Sequence, residues 1–259
     1  MILTENKAIT ICVINLKYKI RQWQYLFFSL GFPIMFTLLF YFSLGAEILK
    51  YSFPGMVIYT TAAGTTSAAI AFSVNKTSGM LERLDTMPTG RKNIFLGALM
   101  SETIVDALQI VIIFILGYII LQIPFIGILE LLIGFLIALL FGISSVGIGI
   151  IIASISKTPD IANAISLFYY LPMMFLSGAL FPFESPIVFF TPPFWAKQVY
   201  LQITVLGHGL FDNLYSSSMI GVSAELTSIP LWGGILINFA FTIGFILIGI
   251  LIFQKKTRQ

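Results

Sequence analysis

Long apolar runs broken by short polar clusters repeat along this chain of 259 residues. A bilayer core about 30 Å thick is crossed by a helix of about 20 apolar residues. Six runs reach that length, at about Tyr25–Leu44, Pro54–Val74, Leu96–Ile123, Phe125–Ile155, Ile161–Phe181 and Leu231–Phe253. Residues 4–24 precede the first. There Ile9, Val13, Leu16, Ile20 and Trp23 recur at helical spacing, while Lys17, Arg21 and Gln24 take other faces. That pattern predicts an amphipathic helix lying in the membrane interface. It reads equally as a membrane anchor and as a lever that touches a cytoplasmic partner. Lys7, Lys17, Lys19 and Arg21 are scattered among apolar positions, so no cleavable signal peptide is expected.

A further apolar stretch, "IVFFTPPFWAKQVYLQITVLG", lies between the fifth and sixth runs. Pro192, Pro193, Lys197, Gln198 and Gln202 argue against a lipid-facing helix there. Broken helix at membrane depth is tolerated when it is buried in protein or lines a cavity. The segment therefore predicts short helices dipping back into the outer leaflet; the alternative is an apolar external loop lying on the bundle.

Between the second and third runs stands "SGMLERLDTMPTGRKN". Met80, Leu81, Leu84 and Met87 form an apolar stripe, and Glu82, Arg83, Asp85 and Thr86 form the opposite face. Ser78 or Gly79 caps the start, and Pro88 biases Met87 away from helix. The spacing predicts an amphipathic helix over about 78–88, joined to both flanking spans by brief connectors. A push on such a helix must move the spans; the plainer reading floats its apolar face on lipid.

Composition confirms the class. The chain is 58% hydrophobic and 10% charged, with a mean hydropathy of +0.99, against about 25% charged in soluble domains. Cytoplasmic segments of membrane proteins retain positive charge. With both termini inside, Lys7, Lys17, Lys19, Arg21, Lys76, Arg83, Arg91, Lys92, Lys157, Lys255, Lys256 and Arg258 face the cytoplasm, and Lys50 and Lys197 face out. The expected fold is thus an all-α, single-domain membrane bundle of six spans in the cytoplasmic membrane. A seventh span would put Lys255, Lys256 and Arg258 outside.

Ionisable residues inside a span mark functional candidates. Glu102 and Asp106 share one face of the third span, toward a wet inner vestibule or the basic pair Arg91 and Lys92, and Glu130 lies near the outer end of the fourth. Thr61, Thr65, Ala69 and Ser73, with Gly64 and Ala68 beside them, make a small-residue stripe on the second span. Ser145, Gly149 and Ala153 make another on the fourth. Such stripes let helices approach closely in lipid; they suit packing within one bundle, a homodimer seam or a pathway wall. Phe168, Tyr169, Tyr170 and Phe175 put aromatics on the fifth span, for packing, the lipid belt or contact with an amphipathic solute.

The sequence carries no G-x-x-x-x-G-K-[ST], H-E-x-x-H or G-x-S-x-G motif. With Cys12 its one cysteine and His208 its one histidine, it offers no intramolecular disulfide or clustered metal ligands. The expectation is a transport part, not an enzyme, with no cofactor bound by this chain and no nucleic-acid partner.

The loop "GMLERLDTMPTGRKNIFLG" resembles the corresponding loop of type-2 ABC transporter permeases, with Gly79, Leu81, Glu82, Arg83, Leu84, Met87, Pro88, Arg91 and Gly97 matching. It is most similar to the drug-export branch typified by daunorubicin-resistance permeases. "FLSGALFPFESP", Phe175–Pro186, is similar to the family's Ser-Gly-x-x-Phe-Pro signature, and a Pro33-containing first span follows the N-terminal helix as it does there. The resemblance implies a dimer of permease subunits, each docking a separate cytoplasmic ATPase through this coupling helix. ATP and Mg would then sit on the partner. It implies ATPase coupling by Gly79, Met80, Leu81, Glu82, Arg83, Leu84, Asp85, Met87, Pro88 and Arg91. Candidate pathway residues are Glu102, Asp106, Phe168, Tyr169, Tyr170, Phe175, Ser177 and Gly178. Asn75-Lys76 stands where many members carry an acidic-basic pair, so that acidic contact does not carry over. The rival readings are an ATP-independent ion-coupled transporter or channel using Glu102 and Asp106, and a membrane scaffold recruiting a cytoplasmic partner.

Overall fold

The computed structural model describes residues 7–21, 23–77, 91–178, 186–218 and 221–256. The predicted coupling helix, with Gly79, Met80, Leu81, Glu82, Arg83, Leu84, Asp85, Met87 and Pro88, lies outside these residues, as does most of the Phe175–Pro186 signature.

Helix α1, Lys7–Arg21, precedes α2, Trp23–Leu44. Helices α3, Ala46–Ala62, and α4, Gly64–Thr77, run almost head to tail through Ala63, which keeps helical dihedrals. Helix α5, Arg91–Phe114, continues as a π-helical turn, Ile115–Ile120. Helix α6, Ile128–Ile155, and α7, Pro159–Leu176, follow. A 3-10 turn, Pro186–Phe190, leads into short α8, Pro192–Leu201, and a second π-helical turn, Gln202–Leu206. Strands β1, Asn213–Ser218, and β2, Gly221–Pro230, then lead to α9, Leu231–Lys256.

Four helical stretches among the described residues are long and apolar enough to cross a membrane: Ile48–Thr77, Phe95–Ile120, Ile128–Ile155 and Leu231–Ile252. They coincide with the second, third, fourth and sixth predicted runs. The first run is helical in α2, where Pro33–Ser43 forms a shorter apolar stretch. The fifth is helical in α7, with Pro172 inside it.

The expectation of helices alone does not hold between α7 and α9. The stretch before Gly207 is helical as expected, but β1 and β2 pair antiparallel, with Tyr215 opposite Glu225 and Ser218 opposite Gly221. Leu231 N donates to the Asp212 carbonyl at 2.9 Å and Trp232 N to the Leu210 carbonyl at 3.1 Å, which ties the start of α9 to the turn before β1.

Close packing of small residues sets the middle of the bundle. On α4, Thr65, Ala68, Ala69 and Ser73 are all buried. A Cβ on Gly149 of α6 would run into the Thr65 carbonyl and lie 2.8 Å from the Ala68 Cβ. The two stripes therefore face each other inside one chain. Backbones this close gain dispersion contacts, the attraction available between helices in lipid. Above this seam Tyr118 sits among aromatic rings: Phe53 and Phe125 have centroids 5.0 Å away and Phe114 5.4 Å. Its hydroxyl bonds that of Tyr200 at 3.0 Å. Buried tyrosines need such a partner for the polar end of the ring.

Candidate functional site

The most charged buried place in the described bundle is where α1, α4 and α5 meet. Lys19 lies in the last turn of α1, a helix expected to lie in the membrane interface. In the structure Ile11, Cys12 and Lys19 are buried, and Ile9, Ile14 and Ile20 are exposed. A close approach of α1 to α5 fixes this orientation, since a Cβ on Gly97 would meet the Ala8 carbonyl and the Ile11 side chain.

Lys19 forms an ion pair with Glu102 of α5. Its ammonium also donates to Ser67 Oγ of α4 at 3.1 Å, and Ser67 Oγ donates to Glu102 Oε2 at 2.8 Å. Three elements thus share one hydrogen-bonded triad. Taking two charges out of water costs several kcal/mol per ion, and the pair offsets this only with good geometry and further hydrogen bonds. Ser67 supplies those bonds. The partner of Glu102 among the described side chains is thus Lys19, on a different element. Arg91 opens α5.

Asp106, one turn beyond Glu102, is 2% exposed. It faces two glycines. A Cβ on Gly64 would lie 3.1 Å from its Oδ2, and a Cβ on Gly142 2.9 Å from it. Oδ2 has no hydrogen-bond partner among the described residues. The i,i+4 relationship expected from sequence is present, but the two carboxyls have different surroundings. Glu130 stands in the first turn of α6, where the helix dipole favours an anion.

Two lysines cap helix ends. Lys76, at the end of α4, donates to the Ser156 carbonyl at 3.0 Å and the Ser154 carbonyl at 3.3 Å, where α6 stops. Terminal carbonyls lack intrahelical donors, and a cation there also meets the negative end of the dipole. Lys197 of α8 does the same for α7. It is buried, and its ammonium donates to the Gly178 carbonyl at 2.8 Å. Burial draws it down to about 8. Gly178 has φ +68°, the left-handed conformation that ends helices and that glycine adopts without strain. Ser177 is buried, its hydroxyl donating to the Met174 carbonyl at 3.1 Å. The Ser-Gly pair of the predicted signature is thus a helix stop clamped by Lys197, a partner that sequence reading had counted as an external charge.

The aromatics of α7 do not converge. Phe168 is 83% exposed and Phe175 about half exposed, whereas Tyr170 is buried. The Tyr170 hydroxyl donates to the Tyr59 carbonyl at 3.4 Å, and the two rings lie 5.2 Å apart. Tyr169 is partly buried and packs against the apolar core. Phe168 and Tyr170 therefore lie in different surroundings, one exposed and one buried. Among the described residues no group of three or more His, Cys, Asp or Glu side chains could hold a metal ion.

Apolar helices of spanning length, packed through small residues and holding a buried ion pair, define a polytopic membrane protein. Its family follows from residues 9–201, which match the ABC-2 type transporter family: the chain belongs to that family. Among curated proteins it is 27% identical over 187 residues to the "Probable multidrug ABC transporter permease YbhR" of Escherichia coli K12, covering 66% of this chain and 50% of that one. The protein of the same name from Escherichia coli O157:H7 matches equally. "ABC transporter G family member 20" of Dictyostelium discoideum is 23% identical over 215 residues, 83% of this chain and 28% of that one. The chain thus spans about half the length of the bacterial relatives it matches, and less of the third.

Proposed function

We propose that this chain is the permease subunit of an ATP-driven exporter, powered by a separate cytoplasmic ATPase that docks on the 78–88 helix. The observation that carries the reading is the ABC-2 match over residues 9–201, which runs through that segment, in a sequence with no P-loop. ATP and Mg would bind the partner. The six spans, with both termini in the cytoplasm and the 4–24 helix in the inner interface, put the 78–88 helix on the ATPase side. The short helices between α7 and β1 lie toward the outer leaflet. Two permease copies make the transporter, and the cargo is an amphipathic or hydrophobic compound. The bacterial relatives' printed name, multidrug permease, supports that class.

In the docked state Glu82, Arg83 and Asp85 face the ATPase. Met80, Leu81, Leu84 and Met87 fill its groove or pack on the inner ends of the spans. Exposed charge pairs contribute about 0–1 kcal/mol each, so the apolar anchors carry the affinity and the charges set the register. The ion-coupled alternative relies on Glu102 and Asp106, and Glu102 is already paired with Lys19. The test is Leu84→Asp in vesicles holding both subunits, reading ATP-driven efflux of a fluorescent amphipathic dye. Efflux should be lost while the chain still inserts. Wild-type efflux from this variant would sink the docking assignment.

A further inference from the structure

Lys17, Lys19 and Arg21 alternate along the end of α1, and the structure divides them. Successive residues of an α-helix turn by about 100°, so residues two apart stand about 200° apart. Lys19 is buried and paired with Glu102. Lys17 and Arg21 are exposed on the opposite side. Being four residues apart, they lie one above the other, separated by about 6 Å along the axis. The sequence of α1 holds no Asp or Glu, so no acidic residue of its own helix answers these two charges.

Beside this cationic stripe runs an apolar one. Ile9, Val13, Leu16 and Ile20 recur at helical spacing on the same outward arc. Ile9 is 42% and Ile20 64% exposed, and Val13 and Leu16 are partly exposed. The opposite side, with Ile11, Cys12 and Lys19, is buried and held by the close approach of Gly97 to Ala8 and Ile11. What α1 turns away from the bundle is therefore amphipathic in its own right. Exposed isoleucines flanked by cations suit a helix whose apolar side enters acyl chains while its charges meet anionic headgroups. Lysine and arginine stems lie along apolar surface while their charged ends reach the polar layer. The position agrees, because only Gln22 stands between α1 and α2, which leads into the first predicted span.

We propose that the outward face of α1 is a binding surface for anionic phospholipid of the inner leaflet: Lys17 and Arg21 hold the headgroup phosphate, and Ile9, Val13, Leu16 and Ile20 pack on the acyl chains. A zwitterionic headgroup brings its own ammonium to its phosphate. An anionic one leaves that charge for the protein to meet, and two cations one turn apart meet it. This deepens the reading that the 4–24 helix lies in the inner interface, and rests on it, adding the charge of the lipid and the residues that select it. Through Lys19 the same helix is bonded to α4 and α5, so the lipid sits one helix away from the third predicted span. Attraction of a cation to an anionic surface corresponds to about fivefold enrichment per charge.

The test places a fluorophore at position 20 of the full chain, through Cys12→Ser/Ile20→Cys, in bilayers of phosphatidylcholine holding a minority of phosphatidylglycerol. Bromine on the acyl chains of one lipid or the other quenches the label on contact. At equal mole fraction, brominated phosphatidylglycerol should quench several-fold more efficiently than brominated phosphatidylcholine. The preference should vanish when Lys17→Gln/Arg21→Gln is added. It should also vanish without that change in about 1 M salt, where the Debye length is about 3 Å. Equal quenching by the two lipids overturns the proposal and leaves the helix in the interface. Quenching by neither shows protein covering this face and overturns the interfacial placement as well. A preference that survives in the Lys17→Gln/Arg21→Gln protein overturns the assignment to these two residues.

Discussion

The Lys19 ammonium and the Glu102 carboxylate close a buried ion pair between the N-terminal helix α1 and α5. Ser67 of α4 bridges the two. The pair changes what α1 is. A helix lying on lipid by its apolar face could move independently of the bundle. One pinned by a buried lysine, and by the close contact of Gly97 with Ala8, moves with α5.

Removing one partner should cost far more than removing both. Lys19→Met leaves Glu102 buried and uncompensated, a loss of about 3–5 kcal/mol for pairs of this kind. The double variant Lys19→Met/Glu102→Gln should recover most of that stability. Thermal unfolding of the full chain in lipid nanodiscs, run as a double-mutant cycle, gives the answer. Additive losses would mean that the two side chains do not interact.

The seam between α4 and α6 should refuse a single methyl group. Gly149→Ala places a Cβ against the Thr65 carbonyl, backbone that cannot swing aside, so a loss of about 1–3 kcal/mol is expected from overpacking. Gly244→Ala in α9, where nothing lies within 4 Å of the added carbon, serves as the control. It should be neutral or gain up to about 1 kcal/mol from helix propensity. Equal effects at both positions would contradict the packing assigned here.

Lys197→Met keeps the length of the side chain but withdraws the donor from the Gly178 carbonyl. Leaving a buried acceptor unsatisfied costs about 1–3 kcal/mol. The loss should appear as a lower thermal midpoint and as faster hydrogen exchange at the end of α7. Unchanged exchange there would show that Lys197 is not the clamp.

What the sequence made legible, and what it did not, divides along physical lines. Long apolar runs report burial in lipid directly, so α5, α6 and α9 lie where hydropathy placed them. Small residues at four-residue spacing report close approach, and Thr65, Ala68 and Gly149 meet as that rule requires. The Lys19–Glu102 pair was not legible: a lysine in an amphipathic helix reads as a headgroup contact, and nothing local shows that a distant glutamate waits behind it. The clamp made by Lys197 was not legible for the same reason, since charge counting assigns a lysine to a side of the membrane and cannot register a buried helix end. The hairpin was hidden by its connection. Met219 and Ile220 stand between its strands, without the Asn-Gly or Asp-Gly chemistry that announces a tight turn.

The central claim, that this permease works through a separate ATPase docked on residues 78–88, is tested most directly by mild-detergent purification of the tagged chain from its native membranes. Mass spectrometry then identifies what accompanies it. The account predicts a P-loop ATPase in stoichiometric amount with the wild type and its loss from Leu84→Asp, with α-helical content unchanged. An intact wild-type chain that brings no P-loop protein with it, or a Leu84→Asp variant that retains one in full, would contradict the claim.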